Sequence, residues 1–338
     1  MGIHEEAFVF DAHSDILYNV FREHKAGRKN VIAEDFLPDM KKGGINARVL
    51  AIYLDNSSLP EMALRHALDY ISNFYEELEN TPEISLCRNY KEIMDAHNKG
   101  KIAFILGMEG AEPLENDIDL LRIFHELGLR VLTLTHSRRN YIGDGAFLKP
   151  QKSGTPGGLS PFGIEVLEEA HKLGIIIDVS HLNDPGFWDV VEFSSDPIIA
   201  SHSNCRALVN HPRNLTDEQI KAIAERDGVI GMNAAGLFVD EEAPTLDKLI
   251  DHIDHIVELV GVKHVGLGFD FFDYTLKYLS EEERRYLPLD NIYTKDLVGD
   301  TDVPKLTEKL IERGYSERDI KRILGENFLE VFKKVVGG

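Results

Sequence analysis

Seven side chains of metal-ligand type stand at the ends of predicted β-strands, widely separated along the chain. They are four histidines and three carboxylates, namely His13, Asp15, Glu109, His136, His181, His202 and Asp270. Imidazole and carboxylate donors without a thiolate suit zinc and, less selectively, manganese or iron. These residue types therefore predict a divalent metal site, provided that the fold gathers the strand ends in one place.

The number of ligands predicts two ions rather than one. Residues two apart on a strand point to the same side, about 7 Å apart, so His13 and Asp15 can approach one ion together. Two ions about 3.5 to 4 Å apart, bridged by a carboxylate and a hydroxide, would use all the ligands. Glu109 is the expected bridge because its strand lies between those that supply the others. We expect one zinc to be held by His13, Asp15 and Glu109, and a second by Glu109, His181 and His202.

Five polar residues, Asp270 among them, are predicted to lie outside the metal shell. Asp270 is left to act as a general base once the ligands are assigned, and Asp11 is expected one layer deeper in the barrel. His252 and His255 are spaced like a helical metal pair but are predicted to lie on or near the solvated flank of their helix. Arg213 could fold back to bind a substrate carboxylate, although its spacing alone favours a surface arginine.

Eight short apolar runs, continuous rather than alternating, predict strands that are buried on both faces. They are residues 7–13, 47–54, 102–109, 131–136, 175–181, 197–202, 228–233 and 264–270. Amphipathic helical patterns lie between most of them. Gly128, Gly174 and Gly228 are predicted to close three of these helices in the left-handed conformation, and Ser160 and Thr216 to begin two others.

This alternation predicts an α/β fold, a (β/α)8 TIM barrel, as a single domain over residues 1–338. Long β/α loops are expected at residues 137–160 and 271–302, with a helical extension at the C-terminal end. A doubly wound open sheet is the main rival, but no GxGxxG follows a strand. Closure of a barrel would bring the strand ends to one mouth, which is the condition that the ligands require.

Composition limits the possible partners and compartments. The formal charge of −21 opposes binding to nucleic acid or to an anionic membrane surface. The two cysteines, Cys87 and Cys205, form no CxxC pattern, so a reducing compartment is expected. Because no apolar run reaches the roughly 18 residues of a membrane span and no secretory signal is recognisable, we expect a cytoplasmic protein.

A series of short motifs resembles the membrane (renal) dipeptidase family of zinc peptidases. In chain order these are "DAHSD", "GMEG", "LTHSRRN", "GLSPFG", "IIDVSH", "ASHSN", "HPRN", "GLGFDFF" and "GENFLEVF". The resemblance implies a barrel with two zinc ions that hydrolyses dipeptides, often with a D-residue at the C-terminal position. It also implies that His13, Asp15, Glu109, His181 and His202 are the ligands. A homodimer is plausible from the family, whereas membrane attachment is not expected because no lipid-anchor tail is recognisable.

The resemblance further implies roles in a reaction that uses a metal-bridging hydroxide as nucleophile. His136 would bind substrate and stabilise the oxyanion, Arg213 would bind the C-terminal carboxylate, and Asp270 would carry the proton to the departing amine. Two alternatives stay open. One is another binuclear barrel hydrolase, acting on a lactone, cyclic amide or phosphoester, and the other is a catalytically silent barrel that binds metal or peptide.

Overall fold

The structure is a computed structural model that describes residues 2–148, 154–278 and 292–337. Its strands form one sheet and alternate along the chain with helices. In chain order the strands are β1 Val9–Ser14, β2 Ile45–Tyr53, β3 Ile84–Leu86, β4 Ile102–Glu109, β5 Leu129–Thr133, β6 Ile176–Asp178, β7 Ile198–Ile199, β8 Ile230–Met232 and β9 Val265–Leu267.

The predicted barrel is confirmed. Parallel pairing runs in the order β7, β6, β5, β4, β2, β1, β9, β8. The two end strands meet at a parallel bridge between Ala200 and Ile230, so the ring of eight nearly closes on itself. The short strand β3 was not predicted, and it pairs in parallel with the first three residues of β4. Its three residues are too few to show a strand pattern in the sequence.

Side chains fill the inside of the barrel, and the C-terminal helix covers its base. The interior cluster joins small and branched residues of the strands with aromatic residues of that helix. The Phe10 ring lies 5.6 Å from Phe328 and 5.3 Å from Phe332, both on the helix Asn327–Val335. The end of the barrel at which the strands begin is therefore sealed, and the opposite end is left to bind ligands.

Helices connect the strands around the outside of the ring. In the described ranges the α-helices are Ile3–Glu6, Ile16–Lys25, Leu37–Lys42, Ala63–Asn80, Tyr90–Asn98, Asp119–Glu126, Pro161–Leu173, Asp184–Phe193, Asp217–Glu225, Gly236–Val239, Leu246–Val260, Val303–Arg313, Glu317–Lys321 and Asn327–Val335. Ser160 and Thr216 are N-caps as predicted, and Thr216 forms a capping box with Gln219. None of the helices in the described ranges is both long and apolar enough to cross a bilayer.

One sequence prediction about a helix end was wrong. Gly128 and Gly174 have positive φ as expected, but Asp227 and not Gly228 takes the left-handed position after Glu225. Gly228 instead allows the backbone to pack closely against Ile198, because a Cβ there would lie 2.0 Å from the carbonyl oxygen of that residue. The predicted loops 137–160 and 271–302 lie partly outside the described residues.

His252 is buried rather than solvated. Its Nδ1 accepts a hydrogen bond from the Cys205 amide at 3.0 Å, and its Nε2 lies 3.0 Å from the Val239 carbonyl oxygen. His255 is half-buried and pairs with Asp217 at 2.8 Å. The spacing along the helix did not reveal the burial of His252, because Cys205 and Val239 cover that face of the helix and neither belongs to a barrel strand. Neither histidine belongs to a cluster that could hold a metal among the described residues.

Candidate metal centre

The predicted site residues meet at the open end of the barrel. His13 and Glu109 lie within β1 and β4, and Asp15 follows β1 as the first residue before the helix Ile16–Lys25. The other four follow the strands β5, β6, β7 and β9, each three residues after the last residue of its strand: His136, His181, His202 and Asp270. Because parallel strands of a barrel all end at the same rim, these positions converge.

One carboxylate oxygen lies at the centre of the cluster. Three imidazole nitrogens point at Oε1 of Glu109, with distances of 3.0 Å from Nε2 of His181, 3.4 Å from Nε2 of His202 and 3.5 Å from Nε2 of His13. The Nε2 atoms of His181 and His202 lie 2.9 Å apart. All four side chains are buried. The arrangement of Glu109 between histidines on either side has the form expected of a bridging ligand.

A second group of ligand atoms lies on the His13 side. Nε2 of His13 is 3.8 Å from Oδ1 of Asp15 and 3.9 Å from Oδ1 of Asp270, and the three could hold one ion. Asn233 donates a hydrogen bond of 3.0 Å to the other oxygen of Asp270. Asp11 does not join them and instead pairs with Arg48 at 2.9 Å. The structure therefore brings Asp270 next to the predicted ligands and keeps Asp11 apart from them.

Protonation and hydrogen bonding in the cluster fit a divalent metal. Burial lowers the pKa of His13 to about 3 and that of His202 to about 4, so both are neutral at pH 7, as ligands must be. Burial would raise the pKa of Glu109, but interactions with His13 and His181 hold it well below its usual range. Nε2 of His13 and Oδ1 of Asp15 are buried and make no hydrogen bond within the described residues. Buried polar atoms without a partner are rare, and coordination to a cation would satisfy both.

Asp270 differs from Glu109 in its electrostatics. Burial and the nearby charge of Glu109 raise the pKa of Asp270 to about 7, which is the range of a proton carrier at neutral pH. Burial with the charges of Glu109 and Asp270 also raises the pKa of Asp15 well above its usual range. Three carboxylates packed this closely repel one another, and bound cations would relieve that repulsion.

Behind His202 lies a hydrogen-bond chain that the sequence analysis did not detect. Asp178 is fully buried, and its Oδ2 accepts from the hydroxyls of Thr133 at 2.5 Å and Ser201 at 2.6 Å. Because the Ser201 hydroxyl gives its hydrogen to Asp178, it must accept from Nδ1 of His202, 2.7 Å away. His202 then carries its proton on Nδ1 and presents the lone pair of Nε2 to Glu109. The only sequence signal was a carboxylate inside the apolar run "IIIDVS".

Backbone conformation also marks the site. His181 and Asp270 have φ values of 67° and 58°, a left-handed conformation that costs energy for residues other than glycine. Ser137 lies 2.8 Å from Nδ1 of His181 and fixes the ring from behind. The surrounding structure holds both side chains towards the cluster despite this cost, which supports a functional reason for their placement.

A cavity of about 500 Å³ opens over the cluster. Asp15, Glu109, His136, His181 and Asp270 form its floor. The ring of His136 stacks on His181 with centroids 4.3 Å apart, and burial lowers its pKa to about 3. The volume falls in the range of small-molecule sites.

Arg213 is buried rather than exposed, contrary to what its spacing alone favoured. Its Nη2 donates to the His202 carbonyl at 3.1 Å, and its Nε makes no hydrogen bond within the described residues. The guanidinium lies 5.6 Å from the ring of Phe238, which lines the cavity, although Arg213 itself is not among the described lining residues. Burial lowers its pKa to about 10, so it keeps its charge at neutral pH.

The chain is similar to known metallopeptidases over nearly its whole length. The sequence profile of the membrane dipeptidase family (peptidase family M19) matches residues 1–286 and 290–336. Dipeptidase verJ of Clonostachys rogersoniana is 30% identical over 276 residues, which are 81% of this chain and 66% of that protein. The chain thus spans just under two thirds of the length of this relative.

Solved structures agree in fold over the full chain. A metallopeptidase named dipeptidase AC has a TM-score of 0.85 and 30% identity, covering 98% of this chain and 99% of the other. A metallopeptidase from Rhodobacter sphaeroides, solved with a phosphinate mimic of the dipeptide L-Ala-D-Ala, also has a TM-score of 0.85, with 28% identity over 97% of this chain and 99% of the other.

Proposed function

Because the chain belongs to the membrane dipeptidase family, we propose that it is a metal-dependent dipeptidase. The observation that carries the proposal is the convergence of three histidine Nε2 atoms on Oε1 of Glu109 at the floor of the cavity. The proposed substrates are dipeptides, including those with an L-residue followed by a D-residue. The phosphinate mimic bound by the Rhodobacter sphaeroides relative supports that stereochemistry.

We assign the metal ligands as two sets that share one carboxylate. His13, Asp15 and Glu109 would hold one zinc, and Glu109, His181 and His202 the other. Bound divalent ions of this kind make water an effective nucleophile at neutral pH and polarise the scissile carbonyl. The neutral imidazoles of His13 and His202, and the raised pKa of Asp15 among crowded carboxylates, support this assignment.

Asp270 and His136 act on the substrate in this proposal. Asp270 accepts a proton from the attacking water and passes it to the departing amine, a role to which a pKa of about 7 is suited. His136, neutral and stacked on His181, donates a hydrogen bond to the carbonyl oxygen as negative charge develops there. One well-placed donor of this kind is typically worth about 3 kcal/mol of transition-state stabilisation.

Arg213 supplies the charge that selects substrates with a free C-terminal carboxylate. Its Nε is a buried cationic donor without a partner in the described residues, and such donors are costly to leave unpaired. The guanidinium lies 5.6 Å from the ring of Phe238, which lines the cavity, so its charge lies close behind the cavity wall. A carboxylate fixed there, one residue beyond the scissile bond, favours dipeptides over longer chains.

The direct experiment is hydrolysis of a small panel by zinc-loaded protein. L-Ala-D-Ala and L-Ala-L-Ala should be cleaved, a chelator should abolish cleavage, and added zinc should restore it. Glu109→Gln should be inactive, because it removes the proposed bridge. Cleavage of a lactone or a phosphoester with no cleavage of any dipeptide would favour another barrel hydrolase, and no cleavage at all would favour a silent binding barrel.

A further inference from the structure

One wall of the cavity carries a cation that the proposed reaction does not use. Arg22 lies near the end of the helix Ile16–Lys25 and lines the cavity above the metal cluster. Of the described residues that line the cavity, it is the one with a permanent positive charge, and it shares that lining with four carboxylates: Asp15, Asp55, Glu109 and Asp270. Solubility alone does not explain a cation on the wall of this cavity, so we looked for a group that it could bind.

Aromatic rings hold the Arg22 side chain in place. Its guanidinium carbon lies 5.0 Å from the ring centre of Tyr278 and 5.7 Å from that of Tyr18. The side chain remains 35% exposed. Stacking of a guanidinium between rings restricts its rotamers and so lowers the entropy lost when it binds a partner.

Asp55, the described carboxylate paired with Arg22, does not occupy its hydrogen-bond donors. Nη1 lies 3.9 Å from Oδ2 of Asp55, beyond hydrogen-bond distance. Asp55 already accepts hydrogen bonds from the Tyr18 hydroxyl at 3.0 Å, the Ser57 hydroxyl at 2.6 Å and Ser58 at 3.1 Å. Asp55 is therefore satisfied by other donors, and the guanidinium fork can receive a second carboxylate from the cavity.

A row of rings connects this cation to the reactive centre. The ring of His136 is 4.9 Å from that of Tyr53, which is 6.0 Å from that of Tyr18. Arg22 follows β1, whereas Arg213 follows β7, and these two strands lie three positions apart around the ring. The two arginines thus lie on different sides of the mouth. If the C-terminal carboxylate lies towards Arg213, the N-terminal residue lies towards Arg22.

We propose that Arg22 binds the side-chain carboxylate of the substrate's N-terminal residue, so that the enzyme prefers dipeptides beginning with glutamate or aspartate. This inference rests on the proposed dipeptidase function and names the substrate class for the same cavity. A guanidinium fork matches a carboxylate with two parallel hydrogen bonds and does not match a carboxamide in the same way. The preference should therefore distinguish glutamate from glutamine, which differ little in size.

The test compares isosteric substrates with zinc-loaded protein. The ratio of kcat/KM for L-Glu-D-Ala over L-Gln-D-Ala should be about ten-fold or more in the native protein, because an ionic pair replaces a neutral contact. Arg22→Gln should bring the ratio to about one. Arg65→Gln is the matched control, because Arg65 is an exposed arginine paired with Asp69 on the helix Ala63–Asn80, and its removal should leave the ratio unchanged.

A further variant and three outcomes make the inference refutable. Asp55→Asn should keep or increase the glutamate preference, since it removes the carboxylate that, among the described residues, competes for Arg22. Equal kcat/KM for the two substrates would overturn the inference and leave dipeptidase activity standing. A preference for N-terminal lysine would overturn it in favour of recognition by Asp55. Failure to cleave any dipeptide would instead overturn the proposed function and this inference together.

Discussion

Replacing Asp178 with asparagine should weaken metal binding at His202 although the substituted residue touches no ligand atom of the centre. Oδ1 of Asp178 accepts from the amides of Ser180 at 3.0 Å and Ser201 at 2.8 Å, and Oδ2 accepts from the hydroxyls of Thr133 and Ser201. The two amides require an acceptor, so a carboxamide must place its oxygen at the Oδ1 position. Its NH2 group then faces the two hydroxyls.

This substitution reverses the direction of the hydrogen-bond chain. The Ser201 hydroxyl would accept from the carboxamide and donate to Nδ1 of His202, which moves the imidazole proton to Nε2. That nitrogen faces Glu109 and could no longer bind a cation without losing its proton. Loss of such a supporting contact typically lowers metal affinity 10- to 100-fold, which corresponds to about 1.4 to 2.7 kcal/mol.

The assay is a zinc titration in competition with a fluorescent chelator, together with nitrogen NMR of labelled histidines to identify the tautomer. Thr133→Val is the matched control, because it removes one donor to the same oxygen without changing the direction at Ser201. It should lower the free energy of unfolding by about 1 kcal/mol and change zinc affinity by less than about two-fold. Equal zinc affinity in Asp178→Asn and native protein would refute the reasoning.

Four other outcomes are expected. Asp270→Asn should retain both metals, by elemental analysis, while kcat falls by about 100-fold or more, because the proton carrier is lost; normal turnover would exclude that role. Arg213→Ala should raise KM for dipeptides much more than for their C-terminal amides, and equal effects would exclude carboxylate binding. Chelation should lower the melting temperature in calorimetry, since zinc present at about a thousand times its Kd stabilises the fold by about 4 kcal/mol per site; an unchanged melting temperature would count against a bound metal. Burial lowers the pKa of His252 to about 4, so the folded protein binds this proton less readily than the unfolded chain. As the pH falls from 7 to about 5, this histidine should therefore lower the free energy of unfolding, measured by urea titration, by about 2 kcal/mol. His252→Asn should make the free energy of unfolding less dependent on pH over that range.

The barrel and the position of the cluster could be predicted because both depend on chain order. Strands buried on both faces leave continuous apolar runs, and a parallel barrel gathers their ends whatever the loops do. Glu109 could be placed between the other ligands for this reason. Its distances of 3.0 to 3.5 Å to three imidazoles follow from the positions of β1, β4, β6 and β7 around the ring.

Features that depend on contacts between distant side chains could not be predicted. The burial of His252 comes from Cys205 and Val239, which no helical periodicity records. The tautomer of His202 depends on hydrogen-bond directions that begin at Asp178. Arg213 gave a misleading signal, because an arginine in a loop is usually solvated, whereas here it is buried against Phe238.

The site also contains conformations that sequence patterns disfavour. The left-handed backbone at His181 and Asp270 is uncommon for residues other than glycine, and the surrounding structure holds it. Similarly, the row of rings from His136 to Arg22 joins residues at the ends of three different strands, β5, β2 and β1. Local preference fails at these positions because function there is set by the tertiary arrangement.

Anomalous diffraction from a crystal of the zinc-loaded protein tests the central claim most directly. We predict two zinc peaks about 3.5 to 4 Å apart on either side of the Glu109 carboxylate, one beside His13 and Asp15 and the other beside His181 and His202. A single peak, or zinc bound at a place that Glu109 does not touch, would contradict the account.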